Sequence, residues 1–102
     1  MSTPPDRSIG HERAGRRPVL IVSNARYNEA VTTLVITVPI ISVDRRWPNH
    51  VRIPGGAGLL SDSFAMTEQV RTISRRRLLE RIAAVDGAVL DDVLRWVRDW
   101  TG

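Results

Sequence analysis

The chain contains no cysteine, no lysine and only two histidines in 102 residues. Without cysteine it has neither a disulfide framework nor a thiolate metal site, and His11 and His50 alone offer imidazole, so no structural zinc, other metal or cofactor is expected. Long hydrophobic runs are missing as well. The longest, Val31 to Val43, is broken by Thr32, Thr33, Thr37, Pro39 and Ser42 and is too short for a membrane span. The first residues, Met-Ser-Thr-Pro-Pro-Asp-Arg, lack the apolar core of a secretory signal, which makes the cytoplasm the expected compartment. Absent too are a P-loop, a dinucleotide fingerprint, H-E-x-x-H and Gly-x-Ser-x-Gly. The commonest nucleotide-binding, metalloprotease and serine-hydrolase signatures are therefore excluded.

What remains is an ordinary globular composition, 42% hydrophobic and 25% charged, sufficient for one packed core. The net charge is +4, and all 15 basic residues are arginine. Such a bias arises either when a GC-rich genome swaps Lys for Arg on solvated surfaces or when planar guanidinium forks are needed for phosphates. Distribution separates the two readings in part. Residues 1–52 carry eight Arg against four acids, and residues 53–102 carry seven against seven, so the surplus is N-terminal, as an anionic ligand would require.

Residues 1–16, with Pro4-Pro5, Gly10, Gly15 and the three arginines Arg7, Arg13 and Arg16, read as a basic arm or loop, and residues 17–102 as the folded domain. Pro18-Val-Leu-Ile-Val-Ser23 and Val31-Thr-Thr-Leu-Val-Ile-Thr-Val38 are β-branched runs expected to pair across a polar turn at residues 24–29. Residues 44–49 form a loop, His50 to Pro54 a short strand, and Gly55-Gly-Ala-Gly58 a hairpin turn. Further short extended pieces follow to Ile73. Arg75-Arg-Arg-Leu-Leu79 is expected to make one helical turn, and Ile82 to Val85 reads as strand or helix, with strand favoured. Beyond Asp86, an N-cap, the positions Val89, Leu90, Val93, Trp96, Val97 and Trp100 recur at helical spacing. The expectation is a mainly β domain, a small bent barrel closed by one C-terminal helix.

Three segments then resemble the MazF/PemK family of toxins from type II toxin-antitoxin systems. Gly10-His-Glu-Arg-Ala-Gly-Arg-Arg-Pro-Val-Leu-Ile-Val22 is similar to the family's G-x-E-Q-x-G-x-R-P with its hydrophobic strand, and Val38-Pro39 to the start of V-P-x-T-S. Residues 62–78 resemble D-S-x-x-x-x-[DE]-Q-[VI]-R-T-[IV]-x-x-x-R-L. In the right order and spacing, they make a specific match. The resemblance implies an SH3-like barrel, a homodimer, a cognate antitoxin as partner, and metal-independent cleavage of single-stranded RNA or RNA loops. The products would be a 2′,3′-cyclic phosphate and a 5′-hydroxyl.

In that frame Arg17, at the R-P position, is the residue expected to stabilise the charged transition state. The family threonine falls at Ile41, which cannot donate a hydrogen bond, so the hydroxyl role passes to Ser42 or leaves this segment. Alternation puts residues 41 and 42 on opposite faces of a regular strand, so Ser42 needs a bulge or twist to serve. Glu12 stands at the acid of G-x-E, where it orders the loop by pairing with an Arg or lies solvated. Arg13, Arg16, Arg45 and Arg46 are candidate phosphate contacts. Trp47 is either a base-stacking aromatic or part of a core or dimer interface. His50 and the Glu68-Gln69 pair read as structural, and Trp96 and Trp100 as core or interface. Residues 1–9 do not supply the family's first strand, so that strand is expected to be missing or truncated. Either the true start lies upstream or the barrel is open at that edge and a partner chain covers it. A catalytically degenerate RNA-binding or antitoxin-binding module is the alternative reading.

Overall fold

The β-branched runs become strands, as their side chains dictate, and the Asp86 boundary becomes the start of a long helix. A computed structural model describes residues 8–12, 17–55 and 61–101, with backbone alone at 79–83. In chain order the elements are β1 (Ser8–Glu12), β2 (Arg17–Ile21), α1 (Ala25–Ala30), β3 (Leu34–Ile41), β4 (His50–Ile53), β5 (Ser63–Met66) and β6 (Arg71–Ser74). A 3₁₀ turn (Arg75–Arg77), β7 (Leu78–Ala84) and α2 (Gly87–Thr101) complete them. The molecule is mainly β with a C-terminal helix, as its residue pattern predicts.

The strands form an antiparallel sheet in the order β4-β5-β3-β2-β1-β7, and β6 pairs with β3 off that path. β3 is the hub. One edge carries β2 through Thr37↔Ile21, Val38↔Leu20 and Pro39↔Val19, while the other carries β6 along Leu34–Thr37 and β5 at Ile40 and Ile41. Splitting one edge between two strands requires the long β3 to bend. Among the described residues β4 and β7 do not pair, so the sheet curls without closing.

α2 covers one face. Val93 is buried with Ile9, Leu20, Val38, Ile40, Val51 and Ile53, and Val89, Leu90, Trp96 and Val97 pack against the same cluster. Deleting the side chain of a fully buried core residue such as Leu20 would cost about 2–5 kcal/mol. Val19, Ile21, Val35, Thr37 and Ile73 alternate with these residues and are also buried, on the opposite face. Both sides of β2 and β3 are therefore dry, which explains why their sequences read as continuous apolar runs rather than alternating ones.

Two expectations need correction. Residues 8–12, read as part of a mobile arm, form β1, which pairs with β2 (Glu12↔Arg17, His11↔Pro18, Gly10↔Val19) and with β7. Ile9 is the only large apolar side chain among them and is fully buried, so one core contact and two ladders outweigh a polar composition. The strand expected to be missing is thus supplied in short form, with register shifts against β7 at Gly10. Residues 24–29, read as a turn, form α1 instead. Asn24 caps it by accepting a hydrogen bond from the Tyr27 N–H at 2.9 Å. Buried Asn28 ties it down, exchanging hydrogen bonds with the Ser23 hydroxyl and carbonyl. Residues 13–16 and 56–60, including most of the glycine-rich turn, lie outside the described residues. No described helix is long and apolar enough to cross a membrane.

Candidate functional site

The site assembles around Glu12, which ends β1 with only 3% of its surface exposed. A buried carboxylate requires partners, and two arginines supply them. Arg71 grips it with both ends of its guanidinium, Nη1 to Oε2 and Nη2 to Oε1 at 3.2 Å each, and Arg77 Nη1 approaches Oε1 at 3.7 Å. β1 and β6 are three strand spacings apart in the sheet, about 14 Å if it were flat, so this contact reports how strongly the sheet curls. Thr37 fixes the base of Arg71 by donating from its hydroxyl to the Arg71 carbonyl at 3.2 Å.

Arg17 sits directly across from Glu12 in the β1–β2 ladder, so the two side chains share a face. Glu12 is already engaged by Arg71 and Arg77. Arg17 is exposed and, among the described residues, has neither an ion pair nor a hydrogen bond. Two guanidinium groups therefore hold one carboxylate, and across the ladder from it stands a third arginine with no partner among the described residues. Such a face attracts an anion, and the planar fork of a free arginine suits phosphate oxygens.

The hydroxyl side of the site follows from β3. The β2–β3 ladder ends at Val19↔Pro39, two residues short of both Arg17 and Ile41, so an apolar side chain at the family's threonine position lies at the same end of the sheet as this arginine. β3 stops at Ile41, and the chain bends at Ser42 and Val43. Strand alternation accordingly does not constrain Ser42, whose hydroxyl is exposed and bonded to no described residue.

Ser42 opens a loop that runs to Asn49. Its turn is made by Asp44, whose carboxylate accepts from the Arg46 N–H at 2.8 Å, and Arg46 takes φ 60°. A left-handed arginine costs about 1–2 kcal/mol and orients successive side chains outward. Arg45 and Arg46 are exposed, and neither guanidinium is paired among the described residues. The loop ends in a buried polar cluster. His50 Nε2 lies 3.0 Å from Glu68 Oε1, Asn49 Nδ2 donates to the same oxygen at 2.8 Å, and Thr67 Oγ1 donates to the Asn49 carbonyl at 2.7 Å. Burial pushes the Glu68 carboxyl up, but a backbone N–H, His50 and Gln69 hold it below its ordinary value. His50 and Glu68-Gln69 thus have the supporting environment expected of them. Arg13 and Arg16 lie outside the described residues, and among those described no three His, Asp or Glu side chains converge as a metal site would need.

Arg71 and Arg77 were not singled out from sequence, although both stand in the third motif. They are the arginines of R-T-[IV] and of the closing R-L, so the first and third motif segments meet at one ion cluster. Residues 2–101 match the sequence profile of the PemK-like, MazF-like toxins of type II toxin-antitoxin systems. The chain belongs to this toxin family. Endoribonuclease MazF9 of Mycobacterium tuberculosis is 37% identical over 99 residues, covering 88% of this chain and 84% of that protein. Endoribonuclease EndoA of Bacillus subtilis is 32% identical over 87 residues, covering 83% and 75% respectively. A crystal structure of MazE-MazF from Deinococcus radiodurans matches the fold with TM-score 0.86 and 27% identity, over 100% of this chain and 98% of that one. The chain is therefore a homologue of endoribonuclease toxins. Within the toxin fold the motifs bring a buried acid, its two arginine partners and an arginine with no partner among the described residues to one face.

Proposed function

We propose that this chain is the toxin of a type II toxin-antitoxin pair, cutting single-stranded RNA without a metal and thereby blocking translation. The observation that carries the reading is the exposed Arg17, unpaired among the described residues, beside the Glu12–Arg71–Arg77 cluster. In the proposed reaction the ribose 2′-oxygen attacks the adjacent phosphorus and gives up its proton, and the bond from phosphorus to the 5′-oxygen breaks. The leaving oxygen takes a proton, leaving a 2′,3′-cyclic phosphate and a 5′-hydroxyl. Negative charge on the non-bridging oxygens peaks between the two events, so a guanidinium that no carboxylate has neutralised acts where it lowers the barrier. Ser42 supplies the second hydrogen bond, its exposed hydroxyl standing in for the family threonine that Ile41 replaces. Arg13, Arg16, Arg45 and Arg46 hold flanking phosphates.

A cognate antitoxin, a homodimer of the toxin and a cytoplasmic location complete the proposal. The structural relative from Deinococcus radiodurans, a MazE-MazF crystal structure, supports an antitoxin partner. The apolar Ile41 at the family's threonine position favours a second reading, a catalytically degenerate module that binds RNA or antitoxin without turnover. Incubation of the purified protein with long RNA in excess EDTA separates the two. Cleavage should persist with cyclic-phosphate and 5′-hydroxyl ends, be lost in Ser42→Ala and be unchanged or faster in Ile41→Thr. No new ends in any buffer would leave the degenerate module, and cleavage that needs added Mg²⁺ or Mn²⁺ would refute the chemistry.

A further inference from the structure

Trp47 is 48% exposed, an unusual place for an indole in a chain with few aromatics. It is not adrift. Its ring lies against buried His50, centroids 4.9 Å apart at 41°, and His50 Nε2 is held by Glu68 Oε1 at 3.0 Å. The Asn49 side chain donates to the same carboxylate, and the His50 backbone N–H donates to the Trp47 carbonyl at 3.0 Å. The indole is thus held on one side by a polar cluster anchored on buried His50 and Asn49, while about half of its surface, 48%, is open to solvent. Immediately before it stand Arg45 and Arg46, two exposed guanidinium groups with no partner among the described residues.

We infer that Trp47 is a preset stacking face for one unpaired nucleobase of the RNA, with Arg45 and Arg46 taking the phosphates beside it and His50 and Glu68 acting as positioning residues. The inference rests on the RNA-cleaving function proposed above and extends it to a subsite. An open indole face flanked by unneutralised arginines matches the alternation of bases and phosphates in a single strand, and stacking tolerates any base. A rigid aromatic loses little freedom on binding, which is what the His50 contact provides. Ser42 and the Trp47 loop leave β3 at the end that faces Arg17, so a strand lying over Arg17 continues toward the indole. Because Trp47 meets the nucleotide whether or not the bond is breaking, its contribution belongs to KM rather than kcat.

The test is steady-state cleavage of a long single-stranded RNA by Trp47→Ala, Trp47→Phe, Glu68→Gln and the Trp47→Ala/Glu68→Gln double variant. It is read beside the RNA-induced emission change that wild type shows and Trp47→Phe lacks, which isolates Trp47 from Trp96 and Trp100. Trp47→Ala should raise KM roughly 5- to 100-fold, the measured range for one stacked base, with kcat nearly unchanged, and Trp47→Phe should restore most of the affinity. Glu68→Gln should raise KM by less and add little in the double variant, since it acts through the indole. An unchanged KM in Trp47→Ala, no change in Trp47 emission on saturation with RNA, or dissociation of a homodimer by Trp47→Ala would overturn the inference. A fall in kcat at constant KM in Glu68→Gln would overturn its positioning role. If RNA quenches Trp47 while no RNA is cut, the stacking face stands and the nuclease reading falls; cleavage without quenching is the reverse.

Discussion

Three charged residues of this chain meet their environments in three different ways. Glu12 is buried and doubly paired, Arg17 is exposed and unpaired, and Arg75 is buried with carbonyl partners in place of a carboxylate. The sequence distinguishes the first two only through a motif, because neither burial nor pairing is written in residue type. Arg71 and Arg77 went unassigned for the same reason: they sit 59 and 65 residues from Glu12, and only the curl of the sheet brings them together. Glu68 offers a pH test at this scale. Its carboxyl is held below the ordinary value of 4.5, so the folded state binds its proton less readily than the unfolded chain. The stability this supplies is complete above the ordinary carboxylate range, about pH 4, and is lost as pH falls through the lowered value. Urea denaturation of wild type should therefore lose more stability between about pH 6 and pH 3 than that of Glu68→Gln. Equal losses would mean that His50 and Gln69 do not stabilise the carboxylate.

The elements divide by how local their causes are. α2 was legible end to end, because its apolar stripe and the Asp86 boundary are properties of consecutive residues, and the Asp86 carbonyl duly accepts from Val89 and Leu90. The pairing of β2 with β3 was legible too, while the helical turn expected over Arg75 to Leu79 shrinks to a 3₁₀ turn at Arg75–Arg77, because Leu78 and Leu79 already belong to β7. β1 and α1 were not, because tertiary contacts decide both. α1 is only six residues long, too short to persist alone, and it is held by Asn28 and by Arg75. Arg75 Nε donates to the Leu34 carbonyl at 3.2 Å, and Nη2 donates to the carbonyls of Asn28 and Val31, clamping the end of the helix to the start of β3. Arg75→Met keeps the aliphatic stem and removes the donors, leaving buried carbonyls unsatisfied. It should destabilise the fold by about 1–3 kcal/mol, against about 1 kcal/mol for Asn24→Ala at the exposed cap. Urea denaturation gives both values, and an Arg75→Met protein as stable as wild type would show that the clamp is dispensable.

At the scale of the molecule, the sheet's curl, the +4 charge and the free arginine describe one surface. Both faces of β2 and β3 are buried, so these strands are rigid, and rigidity is what holds a guanidinium in place for charge that exists only transiently. Glu12 contributes indirectly, taking Arg71 and Arg77 and leaving Arg17 without a counter-ion. The mainly β fold with its C-terminal helix was legible in the residue pattern, while the end of the sheet that Ile41 shares with Arg17 emerged only from the β2–β3 register. The most direct measurement is single-turnover RNA cleavage by Arg17→Ala, with RNA affinity measured on the same preparation and folding checked by circular dichroism. The cleavage rate should fall by about 10² to 10³, as for loss of one donor to a transition-state oxyanion, while affinity changes far less. A folded Arg17→Ala protein that cuts RNA at the wild-type rate would contradict the mechanism.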